Sequence, residues 1–160
     1  MDSLNISVQY YGGIIIADRG NTQRQASRND RMIKLSHDNP KLIPICSVHP
    51  YDSLFALKEI ERLKGKGVAI IKLHPFSQEI EVDDERVLKL RKKAGEIGIT
   101  VLIDNANITS PGDIEHLLNL ALECKETTFI YAHMGGISFR SWNILKLIKA
   151  NEDFCNNYIH

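Results

Sequence analysis

The sequence predicts an α/β fold in which helices flank a parallel sheet. Short runs of apolar, mostly β-branched residues recur at intervals of roughly 30 residues, the length of one strand–helix unit. Between these runs, apolar residues repeat at helical spacing, and strands that alternate with helices pair in parallel. The alternation fits both an open doubly wound sheet and part of a barrel. A complete barrel needs about 250 residues, whereas the chain has 160.

The predicted strands are short, continuous apolar segments, which are typical of parallel strands buried on both faces. They are Ile14 to Ala17, Leu42 to Val48, Val68 to Leu73, Thr100 to Ile103, Thr128 to Ala132 and a last one that begins at Tyr158.

Helices are predicted in each gap between these strands. Asp83 or Asp84 can cap a helix that ends at Gly98, a residue suited to the left-handed turn after a helix. Ser110 can cap another, with Pro111 at its first position. Three further helices are predicted: one from Asn21 to His37, one from about Asp52 and Ser53, and one from about Ser141. The second of them is predicted to bury Leu57, Ile60 and Leu63.

Composition excludes several classes of partner. The chain has 20 basic and 20 acidic residues, and a net charge of zero argues against binding to nucleic acid or to an anionic membrane surface. The residues after Met1 lack the apolar stretch that is typical of a signal peptide, and the apolar run nearest to them is too short to cross a bilayer. The three cysteines are widely spaced, which favours reduced, buried thiols and a cytoplasmic location.

Polar residues stand where the predicted strands end. Because the carboxyl ends of parallel strands meet at one rim, we expect these side chains to lie near each other. They are Asp18, His49, Lys72, His74, Asp104, Asn105 and His133. Imidazole and carboxylate groups are the ligands of Zn²⁺ and similar ions, which acidify a bound water or polarise a carbonyl group.

Each of these residues also has a structural interpretation. His49 can cap a loop by hydrogen bonding, Asp104 can cap a helix or loop, and Asp18 fits an ordinary turn. A functional role is favoured for His133, since the following Gly135 and Gly136 permit close approach of the backbone.

Several segments resemble the amidohydrolase-related family when they are taken in order. They are Met1 to Ile6, Asn39 to Pro44, Ile70 to Pro75 and Tyr131 to Gly136. The resemblance implies a (β/α)₈ barrel, a divalent metal that is often zinc, and a small-molecule substrate. It also implies hydrolysis of C–O or C–N bonds, or non-oxidative decarboxylation of a small carboxylic acid.

Within that family the chain is expected to form a single domain, residues 1–160, truncated at both ends and spanning roughly barrel strands two to seven. The His-x-His pair of strand one and the Asp of strand eight then have no counterpart. Asp104 stands where the family usually has a histidine, at the end of strand five.

The resemblance assigns roles to individual residues. His133 matches the strand-six histidine at the metal site, and Asp104 is the second expected metal ligand. Lys72 and His74 match the strand-four segment that lines the pocket, and they are the expected catalytic residues. His49 and Asn105 are the expected substrate-binding residues.

Three functions remain open from the sequence. The first is a metal-dependent hydrolase or decarboxylase by descent, inactive if the truncation removes essential ligands. The second is a non-catalytic remnant that pairs with itself or another chain through exposed sheet edges. The third is an enzyme in which Lys72 forms a Schiff base with a carbonyl substrate.

Overall fold

The computed structural model describes residues 10–104 and 123–135. Within these ranges five strands form one parallel sheet whose strand order follows the chain order. The strands are β1 (Tyr11–Ile14), β2 (Leu42–Ser47), β3 (Ile70–Leu73), β4 (Thr100–Ile103) and β5 (Phe129–Tyr131). The predicted α/β class with a parallel sheet is therefore confirmed.

Helices connect the first four strands. They are α1 (Thr22–Asp38), α2 (Leu54–Gly65), α3 (Pro75–Gln78) and α4 (Glu85–Glu96), with short 3₁₀ turns at Pro50–Asp52 and Ala132–Gly135. The predicted cap of α4 is confirmed, because the Asp84 side chain accepts a hydrogen bond from the Arg86 amide. Gly98 follows α4 with a φ of 66°. The helices predicted from Ser110 and Ser141 and the strand predicted from Tyr158 lie outside the described residues.

The first strand differs from its prediction. The apolar run Ile14 to Ala17 predicted the strand, but β1 begins at Tyr11 and ends at Ile14. Two glycines in β1 allow neighbouring side chains to approach closely: a Cβ atom on Gly12 would lie 2.7 Å from Ile45 Cδ1. Beyond β1 the run is buried at Ile15 and Ala17, and the Ile15 amide still donates to the Ile45 carbonyl of β2.

The two faces of the sheet differ in how well they are covered. Residues in register on neighbouring parallel strands point to the same side, and successive residues alternate. One face packs against the helices and is fully buried. It includes Cys46, Ile71, Leu73, Val101, Ile103 and Phe129.

The opposite face, called the inner face below, carries Ile14, Ile43, Ile70, Lys72, Leu102, Asp104 and Ile130. Ile14 is 49% exposed and Ile43 is 39% exposed, while Ile70, Leu102 and Ile130 are half-buried. The helices of the described part thus cover one side of the sheet only. None of these helices is long and apolar enough to cross a membrane.

Candidate active-site rim

Three side chains approach one carboxylate oxygen at the carboxyl ends of the strands. Lys72 Nζ donates a hydrogen bond of 2.7 Å to Asp104 Oδ2. The Nε2 atoms of His74 and His133 lie 3.8 Å and 3.6 Å from the same oxygen. The predicted convergence of Lys72, His74, Asp104 and His133 is therefore present, and these four residues are called the rim cluster below.

The Lys72–Asp104 ion pair is the buried centre of this cluster. Lys72 extends from the inner face of β3, and Asp104 follows the last residue of β4, where its amide donates to the Leu73 carbonyl. Both side chains are almost fully buried. Burial penalises a lone charge heavily, so each of these two charged groups depends on the other, and removing one partner of such a pair costs about 3–5 kcal/mol.

His74 is oriented by the short helix that follows it. Its Nδ1 atom accepts a hydrogen bond of 3.3 Å from the Ser77 amide, and its own amide donates to Gln78 Oε1 at 2.8 Å. Since Nδ1 acts as an acceptor, the neutral ring carries its proton on Nε2. His74 therefore presents an N–H group, not a lone pair, toward Asp104.

His133 is the exposed member of the cluster. Its side chain is 63% exposed, and it lies on the 3₁₀ turn after β5 with a φ of 55°. A non-glycine residue in this left-handed region carries strain on the order of 1 kcal/mol, and such residues concentrate at functional sites. The sequence predicted close backbone approach at the neighbouring Gly135 and Gly136, and it did not predict a left-handed conformation of His133 itself.

His49 has both ring nitrogens engaged by the backbone. Its Nδ1 accepts a hydrogen bond from the Tyr51 amide, and its Nε2 therefore donates to the Gln78 carbonyl at 2.8 Å. The ring is buried. This geometry corresponds to the loop-capping interpretation and leaves neither nitrogen for a substrate. Asn105, the other predicted substrate-binding residue, lies outside the described residues.

Asp18 stands apart from the rim cluster. Its exposed carboxylate pairs with Arg28 at 3.3 Å, as expected for an ordinary surface turn. It also borders a small open cavity of about 170 Å³ together with Ala17, Arg19, His49, Ser77, Gln78 and Glu79. Acidic and basic groups both line this cavity, so it has no single preference for cations or anions.

Buried polar residues that the sequence did not single out support the rim. Ser47 Oγ accepts from the Ala17 amide at 3.1 Å and donates to the Lys72 carbonyl at 2.8 Å, which links the ends of three neighbouring strand segments. Asn29 of α1 donates to the Ser47 carbonyl and accepts from the Ser47 amide. The spacing of Gln25 and Asn29, four residues apart on the buried side of a helix, was the available signal.

Gln78 performs a similar role from α3. Its Nε2 donates to the carbonyls of Ala17 and Val48, while its Oε1 accepts from the His74 amide. The side chain is buried and its hydrogen-bonding groups are used. One amide thus fixes three strand ends relative to each other.

The rim cluster does not fit a catalytic divalent metal as it is arranged. Lys72 is hydrogen-bonded to Asp104 Oδ2, and His74 directs an N–H group toward the same oxygen. Asp104 and His133 are therefore the remaining candidate metal ligands. A catalytic zinc normally takes three protein ligands. Residues 10–104 and 123–135 contain no group of three or more His, Cys, Asp or Glu side chains placed to hold a metal ion.

Comparison with known proteins places the chain in a family and a fold. The sequence model of the family described as amidohydrolase matches residues 10–153. The solved structure of IDCase from Metarhizium anisopliae, in apo form, covers 89% of the chain with a TM-score of 0.61 and 13% identity. The structure of 2,6-dihydroxybenzoate decarboxylase with 2,6-dihydroxybenzoate covers 75% with a TM-score of 0.58 and 12% identity. No curated protein matches the sequence at a significant level.

These likenesses confirm that the sheet and its helices form part of a (β/α)₈ barrel. The chain spans about half of each structure, 49% of the first and 48% of the second.

Proposed function

The chain belongs to the amidohydrolase family, and we propose on this premise that it forms part of a barrel enzyme acting on a small molecule. The reaction is hydrolysis of a C–O or C–N bond or decarboxylation of a small carboxylic acid. The observation that carries the proposal is the rim cluster, which lies at the carboxyl ends of the strands, where barrel enzymes hold their catalytic residues.

Each residue of the cluster has a role in this proposal. The Lys72 ammonium attracts an anionic oxygen of the substrate, and Asp104 holds that ammonium in place. His74 donates a hydrogen bond through Nε2, which can stabilise negative charge that develops during the reaction. His133, the exposed imidazole, transfers a proton to or from the substrate.

Amidohydrolases generally bind a divalent metal, and zinc is the ion that the sequence resemblance implies, but the rim cluster as it is arranged does not fit such an ion. Such an ion acidifies a bound water or polarises a carbonyl group. Because Lys72 occupies the carboxylate of the cluster, the roles above use the chain's own side chains only.

The proposal is tested by assaying the purified chain against small aromatic carboxylic acids, with CO₂ release measured, and against small esters and amides. We expect His133→Ala to lower kcat/KM by about 10²-fold or more, as for loss of a general acid or base. His37→Ala is the matched control, because His37 is exposed on α1. Equal activities of the two variants, or no turnover of any substrate by the unmodified chain, would contradict the proposal.

A second candidate function is favoured by the inner face. Ile14 and Ile43 are substantially exposed there, and β1 pairs with a single strand among the described residues. A half-covered sheet with a free edge is suited to pairing with another sheet. In this alternative the chain is a non-catalytic half-barrel whose partner is a second copy of itself.

The Schiff-base function of Lys72 has less support. Its ammonium is hydrogen-bonded to Asp104 at 2.7 Å, so nucleophilic attack would require Asp104 to release it.

A further inference from the structure

The position of Lys72 in the rim cluster has a consequence for metal binding. Its ammonium is the group closest to Asp104 Oδ2, at 2.7 Å, while the two imidazole nitrogens stand back at 3.6 Å and 3.8 Å. We propose that Lys72 takes the place of a metal ion in this cluster. While Lys72 is present, Asp104 and His133 do not bind a divalent cation between them.

The first argument is electrostatic. Zinc binds carboxylate oxygen at about 2.0–2.2 Å, so an ion on Asp104 Oδ2 would lie within about 5 Å of the ammonium on the same oxygen. Both Lys72 and Asp104 are buried, and little water separates the two positive charges, so their repulsion is poorly screened. The Lys72 ammonium therefore excludes a zinc ion from Asp104 Oδ2.

The second argument is the hydrogen bonding of His74. A histidine binds a metal through a nitrogen that carries no proton. Nδ1 of His74 is used by the Ser77 amide, which leaves the proton on Nε2, the atom that faces Asp104. His74 therefore acts as a donor, and loss of Lys72 would leave Asp104 and His133 as the primary ligands of a new site.

The proposal is tested by zinc binding, so it can fail independently of the proposed reaction. Lys72→Met keeps most of the apolar stem and removes the charge. We expect zinc to raise the thermal midpoint of Lys72→Met by about 3 °C or more, through preferential binding to the folded state. The midpoint of the unmodified chain should stay unchanged, and the chain should retain no stoichiometric zinc after dialysis.

Two further variants make the test specific to this cluster. Lys72→Arg retains the cation and should behave like the unmodified chain, while Lys72→Met combined with His133→Ala should lose the response to zinc. A Lys72→Met variant that folds by circular dichroism and gains nothing from zinc would overturn the proposal.

If Lys72→Met does not fold, zinc binding by the unmodified chain and by His133→Ala tests the proposal. Stoichiometric zinc in this protein that His133→Ala abolishes would show a metal site in the presence of Lys72, contrary to the proposal. Absence of any zinc binding that depends on His133 would support it.

Discussion

Arg91 is a buried charge in the layer between α4 and the sheet. Its side chain is completely buried, and none of its three guanidinium nitrogens has a hydrogen-bond partner among the described residues. The guanidinium carbon lies 4.9 Å from the centre of the Phe129 ring. This cation–π contact offsets part of the free-energy cost of removing the charge from water. Burial lowers the pKa of Arg91, in keeping with a cation that is poorly compensated.

Replacement of this residue by an apolar one should stabilise the fold. We predict that Arg91→Met raises the free energy of unfolding by about 1–3 kcal/mol, because methionine fills much of the volume without a charge to desolvate. Urea denaturation measures the change. Lys89→Met is the control, since Lys89 is exposed on the same helix, and it should change stability by less than about 0.5 kcal/mol. A less stable Arg91→Met would show that the guanidinium has a stabilising partner.

Because of Cys46, the free energy of unfolding depends on pH in the alkaline range. Burial, with a smaller contribution from the Glu59 charge, raises the pKa of its thiol from 9.0 to about 12. The unfolded thiol loses its proton near pH 9 while the folded one keeps it, so the folded state binds more protons and its stability falls between pH 9 and 12. No such loss arises below pH 9.

We predict that Cys46→Val reduces this loss of stability. For a thiol with these two pKa values, titration of Cys46 lowers the free energy of unfolding by about 2 kcal/mol between pH 8 and about pH 10.5. Urea denaturation of both proteins at the two pH values measures it. Tyr131, whose pKa burial raises to about 12, contributes equally to both proteins and cancels. Identical pH dependence of the two proteins would contradict the assignment.

The sequence located the residues of the rim cluster but did not reveal the backbone partners of His49. Lys72, His74, Asp104 and His133 were predicted to converge, because the ends of parallel strands share one edge. The engagement of His49 with the Gln78 carbonyl depends on α3 bringing Gln78 to the end of β2, where the Gln78 side chain also donates to the Val48 carbonyl. Contacts of this kind join residues 29 positions apart, and no local pattern reveals them.

Glycines in two helices illustrate how packing overrides helix propensity. Gly95 lies in α4 against the segment before β5, and a Cβ atom there would lie 2.8 Å from the backbone of Glu126 and 2.5 Å from Thr127 Oγ1. Gly65 lies at the end of α2, and a Cβ atom there would meet no other group within 4 Å. The same substitution thus meets a crowded environment at one site and open space at the other.

We predict opposite effects of alanine at these two positions. Alanine gains up to about 1 kcal/mol of helix propensity over glycine. At Gly95 a backbone clash costing about 1–3 kcal/mol outweighs this gain, so Gly95→Ala should lower the thermal midpoint. Gly65→Ala should leave the midpoint unchanged or raise it. Stabilisation by both substitutions would show that the Glu126 segment moves aside without cost.

Strands and helices were largely predictable from local patterns. The end of α4 and the buried stripe of α2 follow from residues such as Gly98, Ile60 and Leu63, whose spacing and conformation are local properties. The first strand was misplaced because glycines are poor strand formers in isolation. Gly12 belongs to β1 for a tertiary reason, the close approach of Ile45.

At the level of the whole sheet, the described residues cover one face and leave the other partly exposed. The sequence could not distinguish a barrel segment from an open doubly wound sheet, because the two differ in which face receives helices. The described helices pack on one side only, and Ile43 of the inner face remains 39% exposed. An apolar surface of this kind is stabilised when a second sheet covers it.

We predict that the isolated chain self-associates through its inner face. Ile43→Glu should shift the mass measured by analytical ultracentrifugation toward the monomer value of 18.1 kDa, because a carboxylate is costly to bury in the apolar contact. Leu54→Glu is the control: Leu54 is 63% exposed, at the start of α2 and away from the inner face. A monomeric unmodified chain at micromolar concentration would exclude this mode of pairing.

The agreement between strand order and chain order has a bearing on biosynthesis. In the described sheet, each strand from β2 to β5 pairs with the strand that precedes it in the sequence, so each of these strands can pair with one that has already been synthesised. Loop closure then involves a similar number of residues at each addition, which keeps its entropic cost nearly constant along the chain. The sheet can consequently assemble during translation by adding one strand at a time, before synthesis of the chain is finished.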